Sequence, residues 1–97
     1  MIRATYWGEL MTIEAYILFK VNSGTERESC EKIAEFDEVL MVGITYGEYD
    51  IIARVSVQEL QALEKFLAEK IRKVPSVLLT STMIIAKEYK GKTMRTK

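Results

Sequence analysis

The sequence contains no histidine and one cysteine, Cys30, among its 97 residues. Histidine is the most frequent general base and a common zinc ligand, and a single cysteine forms neither an intrachain disulfide nor a multi-cysteine metal site. The five glycines do not form a glycine-rich phosphate loop. The composition therefore argues against nucleophile–base catalysis, zinc chemistry and nucleotide binding, and no cofactor is expected.

An excess of charge of one sign and long apolar runs are also lacking. Fourteen lysine and arginine residues balance fourteen aspartate and glutamate residues, so the chain shows no electrostatic footprint for a polyanion. No apolar run approaches the roughly 20 residues that span a bilayer, and residues 1–11 lack the apolar core of a signal peptide. We therefore expect a cytoplasmic protein without a membrane segment. We also expect one small domain, because a chain of this length supports one hydrophobic core.

Period-two alternation of apolar residues predicts four β-strands. They are expected over residues 12–22, 39–46, 49–55 and 76–87. Between the second and third strands, Gly47-Glu48 fits a two-residue type II′ turn, because glycine tolerates the positive φ that this turn requires. The turn would set Tyr46 opposite Tyr49, Ile44 opposite Ile51, Val42 opposite Ala53 and Leu40 opposite Val55, which gives the hairpin one wholly apolar face.

Two helices are predicted where capping-box spacing is followed by apolar residues at helical intervals. Thr25 with Glu28 begins the first helix, and Ser56 with Glu59 begins the second. Pro75 ends the second helix. The apolar stripes consist of Cys30, Ile33 and Ala34 in the first helix and of Leu60, Leu63, Leu67, Ile71 and Val74 in the second.

The two halves of the chain repeat at an offset of 38 residues, taken from Ile51 against Ile13 (51 − 13 = 38). The same offset aligns Val39 with Val77. Each half therefore reads as a β-α-β unit. Two such units joined by a hairpin predict an α+β, ferredoxin-like βαββαβ fold whose antiparallel sheet carries both helices on one face.

Helices can cover only one face of this sheet, and the face containing Ala15 and Phe19 is expected beneath them. The opposite face carries Lys20 and Asp50 but is otherwise rich in apolar side chains. An apolar patch of this extent on a small domain usually marks an interface, so we predict homodimerisation through it. The predicted interface residues are Tyr16, Leu18, Met41, Ile52, Arg54, Leu79, Met83 and Ile85.

Gly47-Glu48-Tyr49-Asp50 lies in the hairpin and is followed by an apolar strand, a helix and Thr80-Ser81-Thr82. This order, over residues 12–89, resembles the effector-binding (RAM) domain of the Lrp/AsnC, or feast/famine, transcriptional regulators. The resemblance implies dimerisation through the sheets, assembly of dimers into an octamer or similar ring, and an amino acid bound near the hairpin tip at contacts between dimers. The ligand-binding residues expected from it are Tyr46, Gly47, Glu48, Tyr49, Asp50, Thr80 and Thr82.

The chemistry of the hairpin tip suits a zwitterion. Asp50 is expected to take the ammonium group, and backbone N–H groups around Gly47 and Glu48 to meet the carboxylate, since glycine permits close approach. Thr80 and Thr82 would come from a neighbouring subunit, because strand 4 is an edge strand away from the hairpin. Catalysis is not expected, since Glu48 and Asp50 have no further catalytic group beside them.

Full-length members of the family carry an N-terminal helix-turn-helix, and residues 1–11 leave no room for one. We therefore expect an N-terminal extension over residues 1–11, a ligand-binding domain over residues 12–89 and a basic tail over residues 90–97. Such a stand-alone member would sense an effector or assemble with full-length regulators, without direct specific DNA binding. Two alternatives stay open, a dimeric α/β-barrel enzyme of the small monooxygenase kind and a purely structural assembly module.

Overall fold

Two β-α-β units build the structure, a computed structural model that describes residues 12–95. The first unit consists of β1 (Ile13–Val21), α1 (Glu26–Ala34) and β2 (Val39–Ile44). The second consists of β3 (Ile51–Val57), α2 (Leu60–Phe66, continued by a π-helical segment over Leu67–Ile71) and β4 (Val77–Ile84), after which α3 (Lys92–Arg95) follows. The predicted extension over residues 1–11 lies outside the described residues.

The four strands form one sheet in the order β2-β3-β1-β4, and all three neighbouring pairs are antiparallel. This arrangement confirms the ferredoxin-like fold, with β4 at the edge away from the hairpin. The predicted repeat is also visible in the strands, because β1 and β3 begin 38 residues apart (51 − 13 = 38) and so do β2 and β4 (77 − 39 = 38).

The core lies between the sheet and the two helices. Every second residue of β1 and β3 is buried there, as alternation along a strand dictates. Burying an aliphatic or aromatic side chain of this size contributes about 1.5–3 kcal/mol relative to leaving it in water. The core residues are Ala15, Ile17, Phe19 and Val21 from β1, Ile51, Ala53, Val55 and Val57 from β3, and Ile33, Leu63, Phe66 and Ile71 from the helical segments.

The hairpin register is confirmed in its straight part, where Ile44 lies opposite Ile51 and Val42 opposite Ala53. Two predicted details are wrong. Val39, not Leu40, lies opposite Val55, because the register shifts between Val39 and Met41. The predicted Tyr46–Tyr49 strand pair does not form, because β2 ends at Ile44 and β3 begins at Ile51.

A β-bulge occurs at the same place in both halves of the repeat. Leu40 is skipped in the pairing of β2 with β3, and Leu78 is skipped in the pairing of β4 with β1 (78 − 40 = 38). Both leucines are exposed, at 55% and 64%. Since β2 and β4 are the two edge strands, both sheet edges contain a bulge, which interrupts the straight ladder that another strand could extend.

The first helix begins after Thr25 as predicted, whereas the start of α2 and the capping bonds of both helices differ from the prediction. Thr25 precedes α1 but makes no capping bond, since its hydroxyl donates to the carbonyl of Asn22 at 2.6 Å. Ser56 lies inside β3, which continues to Val57, and α2 begins at Leu60 after Glu59. Both predicted capping boxes are therefore wrong, because strand pairing takes the backbone of Ser56 and a loop carbonyl takes the hydroxyl of Thr25.

The predicted helix stripes are partly wrong. Ala34 is exposed and Cys30 only half-buried, while Ser29, outside the stripe, is fully buried. Its hydroxyl lies 2.6 Å from that of Ser76 and so ties α1 to the start of β4. In α2, Leu60 is 48% exposed, and Phe66, which the stripe omitted, is 2% exposed.

Two alanine substitutions in α2 test which side of this helix faces the core. Phe66→Ala removes a ring that packs edge-to-face on Phe36, with centroids 5.8 Å apart, and leaves a cavity. It should destabilise the protein by about 3–5 kcal/mol. Leu60→Ala, at an exposed site, should change stability by less than about 0.5 kcal/mol. Urea unfolding at one protein concentration measures both, and equal losses would contradict the assigned phase.

Candidate functional site

The hairpin tip is a four-residue loop rather than a two-residue turn. The last bond across the hairpin runs from the N–H of Thr45 to the carbonyl of Asp50, at 2.9 Å, so residues 46–49 span the tip. The Thr45 hydroxyl also donates to the carbonyl of Tyr49, at 2.7 Å. Gly47 has a φ of 140°, a conformation that L side chains rarely adopt, which explains why glycine occupies this position.

Asp50 extends the pairing between β1 and β3 beyond the last strand residue. Its N–H donates to the carbonyl of Phe19 at 2.8 Å. Its carboxylate oxygen Oδ2 then accepts the N–H of Val21 at 2.9 Å, where a strand carbonyl would otherwise stand. The carboxylate is therefore held by the backbone at the end of β1.

A groove of about 550 Å³ runs between the hairpin tip and the first turn of α1. The hairpin supplies both apolar and polar lining, and the α1 side adds one acidic and one basic side chain. The lining residues are Gly24, Glu26, Arg27, Ile44, Thr45, Tyr46, Gly47 and Asp50. Three of the predicted ligand-binding residues, Tyr46, Gly47 and Asp50, thus lie together in one concave site.

Glu48 and Tyr49, also predicted to bind ligand, do not line this groove. Lys20 engages both of them, since its ammonium donates to the carbonyl of Glu48 and lies 5.4 Å from the centroid of the Tyr49 ring. These contacts attach the hairpin tip to Lys20 of β1. Glu48 and Tyr49 therefore hold the loop in place.

Thr80 and Thr82 lie on β4, opposite Phe19 and Ile17 of β1. They therefore point to the helix side of the sheet, and they do not line the hairpin groove. Thr80 instead borders a separate hollow of about 340 Å³ with residues of the π-helical segment and of β4. Within one subunit the two threonines and the hairpin tip are not brought together.

Five groove residues were not among the predicted ligand-binding residues, and Glu26 and Arg27 are the charged ones; the other three are Gly24, Ile44 and Thr45. A signal was present, because β1 and β3 are antiparallel. The end of β1 must then lie beside the start of β3, which brings the helix that follows β1 close to the hairpin tip. The sequence alone could therefore have placed these two charged residues beside the hairpin tip only through the predicted strand order.

The sheet face without helices, here called the open face, contains the eight predicted interface residues. The strand registers place Tyr16 beside Arg54 and Met83, and Leu18 beside Ile52. Met41, Leu79 and Met83 are exposed, and the remaining members are half-buried.

Arg54 is the centre of an ion-pair cluster on the open face. Its Nε donates to Oε1 of Glu14 at 2.9 Å, and its Nη2 to Oε1 of Glu88 at 2.9 Å. Its Nη1 reaches the Tyr16 hydroxyl at 3.2 Å. The hydrogen bond to Glu14 is the largest cause that raises the pKa of Arg54 above its ordinary value. The guanidinium charge is therefore compensated within the subunit.

The remaining chemistry of the described residues is sparse. Burial, and secondly the charge of Glu31, raises the pKa of the Cys30 thiol, so the thiol is protonated at neutral pH and a poor nucleophile. Between residues 12 and 95 no group of three or more His, Cys, Asp and Glu side chains could hold a metal ion. None of the helices in that range is long and apolar enough to cross a bilayer.

The fold and groove define a ferredoxin-like domain with a concave site beside its central hairpin. Residues 14–94 match the family model of the Lrp/AsnC ligand binding domain. The chain belongs to this family, which confirms the resemblance drawn from the hairpin and from the Thr-Ser-Thr strand.

Curated relatives are archaeal regulators. An uncharacterised HTH-type transcriptional regulator of Pyrococcus furiosus is 40% identical over 73 residues, which cover 75% of this chain and 49% of that protein. The HTH-type transcriptional regulator FL11 of Pyrococcus abyssi is 33% identical over 79 residues, covering 81% of this chain and 52% of the relative. The chain thus spans about half the length of the curated relatives it matches.

Solved structures of similar sequence include two short chains. The crystal structure of FFRP-DM1 is 44% identical, with a TM-score of 0.73, and the match covers 75% of this chain and 97% of that one. The hypothetical protein PHS023 of Pyrococcus horikoshii is 43% identical, with a TM-score of 0.74 and coverage of 79% and 93%. The AsnC structure of E. coli, 24% identical with a TM-score of 0.78, shows the shared fold.

The structural role of Asp50 can be tested by removing its acceptor. Asp50→Ala leaves the N–H of Val21 without a partner and should destabilise the protein by about 1–3 kcal/mol. Asp50→Asn keeps an acceptor oxygen and should cost less. Urea unfolding measures the loss, and amide hydrogen exchange should show faster exchange at Val21 in the alanine variant. An alanine variant with unchanged stability and unchanged Val21 exchange would contradict this role.

Proposed function

We propose that this chain is a cytoplasmic, non-catalytic module that binds an amino acid effector and forms oligomers, acting with Lrp/AsnC-type transcriptional regulators. The observation that carries the proposal is the groove in which Asp50 stands beside the tip that contains Gly47. Family membership supports ligand binding by this domain in general. The groove supports the proposal because it is concave and has charged residues in its lining.

The ligand chemistry follows from the groups at the tip. Oδ2 of Asp50 accepts a hydrogen bond from the N–H of Val21, and the second carboxylate oxygen remains to accept one from an ammonium group. The N–H groups of Thr45 and Asp50 are committed to carbonyls of the sheet, which leaves those of the loop around Gly47 and Glu48 to meet a carboxylate. We assign Thr80 and Thr82 to the same site from a neighbouring subunit, because in their own subunit they lie on another edge strand.

Titration calorimetry tests amino acid binding. A screen of the twenty amino acids by thermal shift identifies the ligand of the wild type, and calorimetry then compares it with Asp50→Asn. Loss of a charge-assisted hydrogen bond, about 1.5–3 kcal/mol, should weaken binding by about ten- to a hundredfold. Because the asparagine keeps an acceptor oxygen for Val21, fold and oligomer should survive.

Two outcomes would contradict the binding proposal. One is a wild type that binds none of the twenty amino acids at millimolar concentration. The other is unchanged affinity in Asp50→Asn. Either would favour the structural assembly module instead, since that function requires no small molecule.

We further assign the open face as the homodimer interface, with dimers assembling into a ring. The face is apolar apart from charged groups that are largely compensated within one subunit. Glu14 and Glu88 both pair with Arg54, and Glu88 also lies 3.7 Å from the ammonium of Lys90, so two carboxylates meet two cations within the subunit. A face of this kind can be buried without leaving an unpaired charge, which is the costly case.

Leu18→Asp and Ile52→Asp test the interface. Each would bury an unpaired carboxylate between the two sheets, which costs about 3–5 kcal/mol, so the dimer should dissociate or unfold. Leu60→Asp is the matched control on the exposed side of α2 and should stay dimeric. Light scattering measures the mass, and dimers of unchanged stability in both sheet variants would show that this face is not the interface.

The enzymatic alternative finds no support in the core of the described residues. A monooxygenase of the same fold needs polar groups in the space beneath the helices, and that space is filled here by aliphatic and aromatic side chains. Ser29 is the one buried polar side chain between residues 12 and 93, and its hydroxyl is hydrogen-bonded to that of Ser76. The interior is therefore a packed core, which supports the regulatory proposal.

A further inference from the structure

We propose that Arg27 is the counter-ion of the ligand carboxylate in the hairpin groove, and that Glu26 selects against ligands with acidic side chains. The inference rests on the amino acid binding proposed above and adds the α1 side of the site. The ligand class is then α-amino acids with a neutral or cationic side chain.

Arg27 is the only cation among the residues that line the groove. It is exposed, and it makes no ion pair with any residue between positions 12 and 95. The other cation near the hairpin, Lys20, is held by the Glu48 carbonyl and the Tyr49 ring. A carboxylate in the groove therefore has one guanidinium available to it.

The position of Arg27 complements that of Asp50. The two side chains border the same groove from opposite elements, Arg27 from α1 and Asp50 from the hairpin. A zwitterion lying between them meets an anion at its ammonium end and a cation at its carboxylate end. Bonds from a guanidinium to a carboxylate are roughly twice as strong as bonds between neutral groups, so Arg27 adds more than the loop amides alone.

Glu26 determines the charge that the rest of the ligand can carry. The charged lining of the groove consists of Glu26, Asp50 and Arg27, which sum to −1. Once a zwitterionic backbone has satisfied Asp50 and Arg27, the uncompensated charge is that of Glu26, which is half-buried. An acidic side chain would meet like charge there, whereas a neutral or basic one would not. Ile44 provides an apolar wall for an aliphatic side chain.

The test compares the wild type with Arg27→Gln by calorimetry, using two probes. One is the amino acid that the wild type binds best, and the other is the amide of that amino acid, which lacks the carboxylate charge. Arg27→Gln should weaken binding of the amino acid by about ten- to a hundredfold while leaving the amide nearly unaffected. Arg27→Lys should recover part of the loss.

Arg72→Gln is the matched control, because Arg72 borders the separate hollow beside β4. It should bind the amino acid within about twofold of the wild type, as expected for a surface substitution away from the site. A loss as large in Arg72→Gln as in Arg27→Gln would show that the effect is not local and would overturn the assignment. So would a loss in Arg27→Gln that is equal for the acid and the amide.

Glu26→Gln tests the selectivity. It should raise the affinity for aspartate and glutamate relative to that for a neutral amino acid by about two- to fivefold, the range of a surface charge pair. A wild type that binds acidic and neutral amino acids equally would overturn the role of Glu26. A wild type that binds no amino acid overturns the proposed function as well, whereas binding that Arg27→Gln leaves unchanged overturns the Arg27 assignment alone.

Discussion

Both helices pack against alternate residues of the two central strands, and this contact determines which surfaces of the domain remain available. Since β1 and β3 each bury one side chain in two, their other side chains must face away from the helices. That second set includes Leu18 and Ile52, which are apolar although no helix covers them. Packing of the helices on one face thus leaves the other face of the sheet uncovered, and the side chains of that face are largely apolar.

Much of this arrangement could be predicted from the sequence, because it depends on periodicity. Alternation identified the strands and the buried face, and the 38-residue repeat identified the two β-α-β units, whose strands begin at that spacing. The details that failed depend on competition for hydrogen bonds. Ser56 fits a helix cap by spacing, yet the N–H of this residue pairs with the carbonyl of Glu38, at 2.9 Å, and extends the sheet. The bulges at Leu40 and Leu78 have no periodic signature, since they are shifts within a ladder.

The site was predictable on one side only. Gly47 and Asp50 belong to a contiguous motif in a hairpin, so the chain itself brings them together. Glu26 and Arg27 reach the same groove through the topology of the sheet, although Arg27 lies 20 residues before Gly47 in the sequence (47 − 27 = 20). A local sequence pattern does not indicate that α1 and the hairpin lie close together. The bond from Val21 to the Asp50 carboxylate was invisible for the same reason, because its partners are 29 residues apart in sequence.

The hairpin tip connects the groove with the open face through two successive residues of β1. Lys20, whose side chain is on the open face beside Leu79, donates to the carbonyl of Glu48 in the tip. Val21, the next residue, donates its N–H to the Asp50 carboxylate, which borders the groove. Because Lys20 and Val21 are neighbours on one central strand and both contact the tip, a displacement of the tip would change contacts that reach the open face. The tip is thus a point of the described structure at which the groove and the open face are physically connected, as coupling between two sites requires.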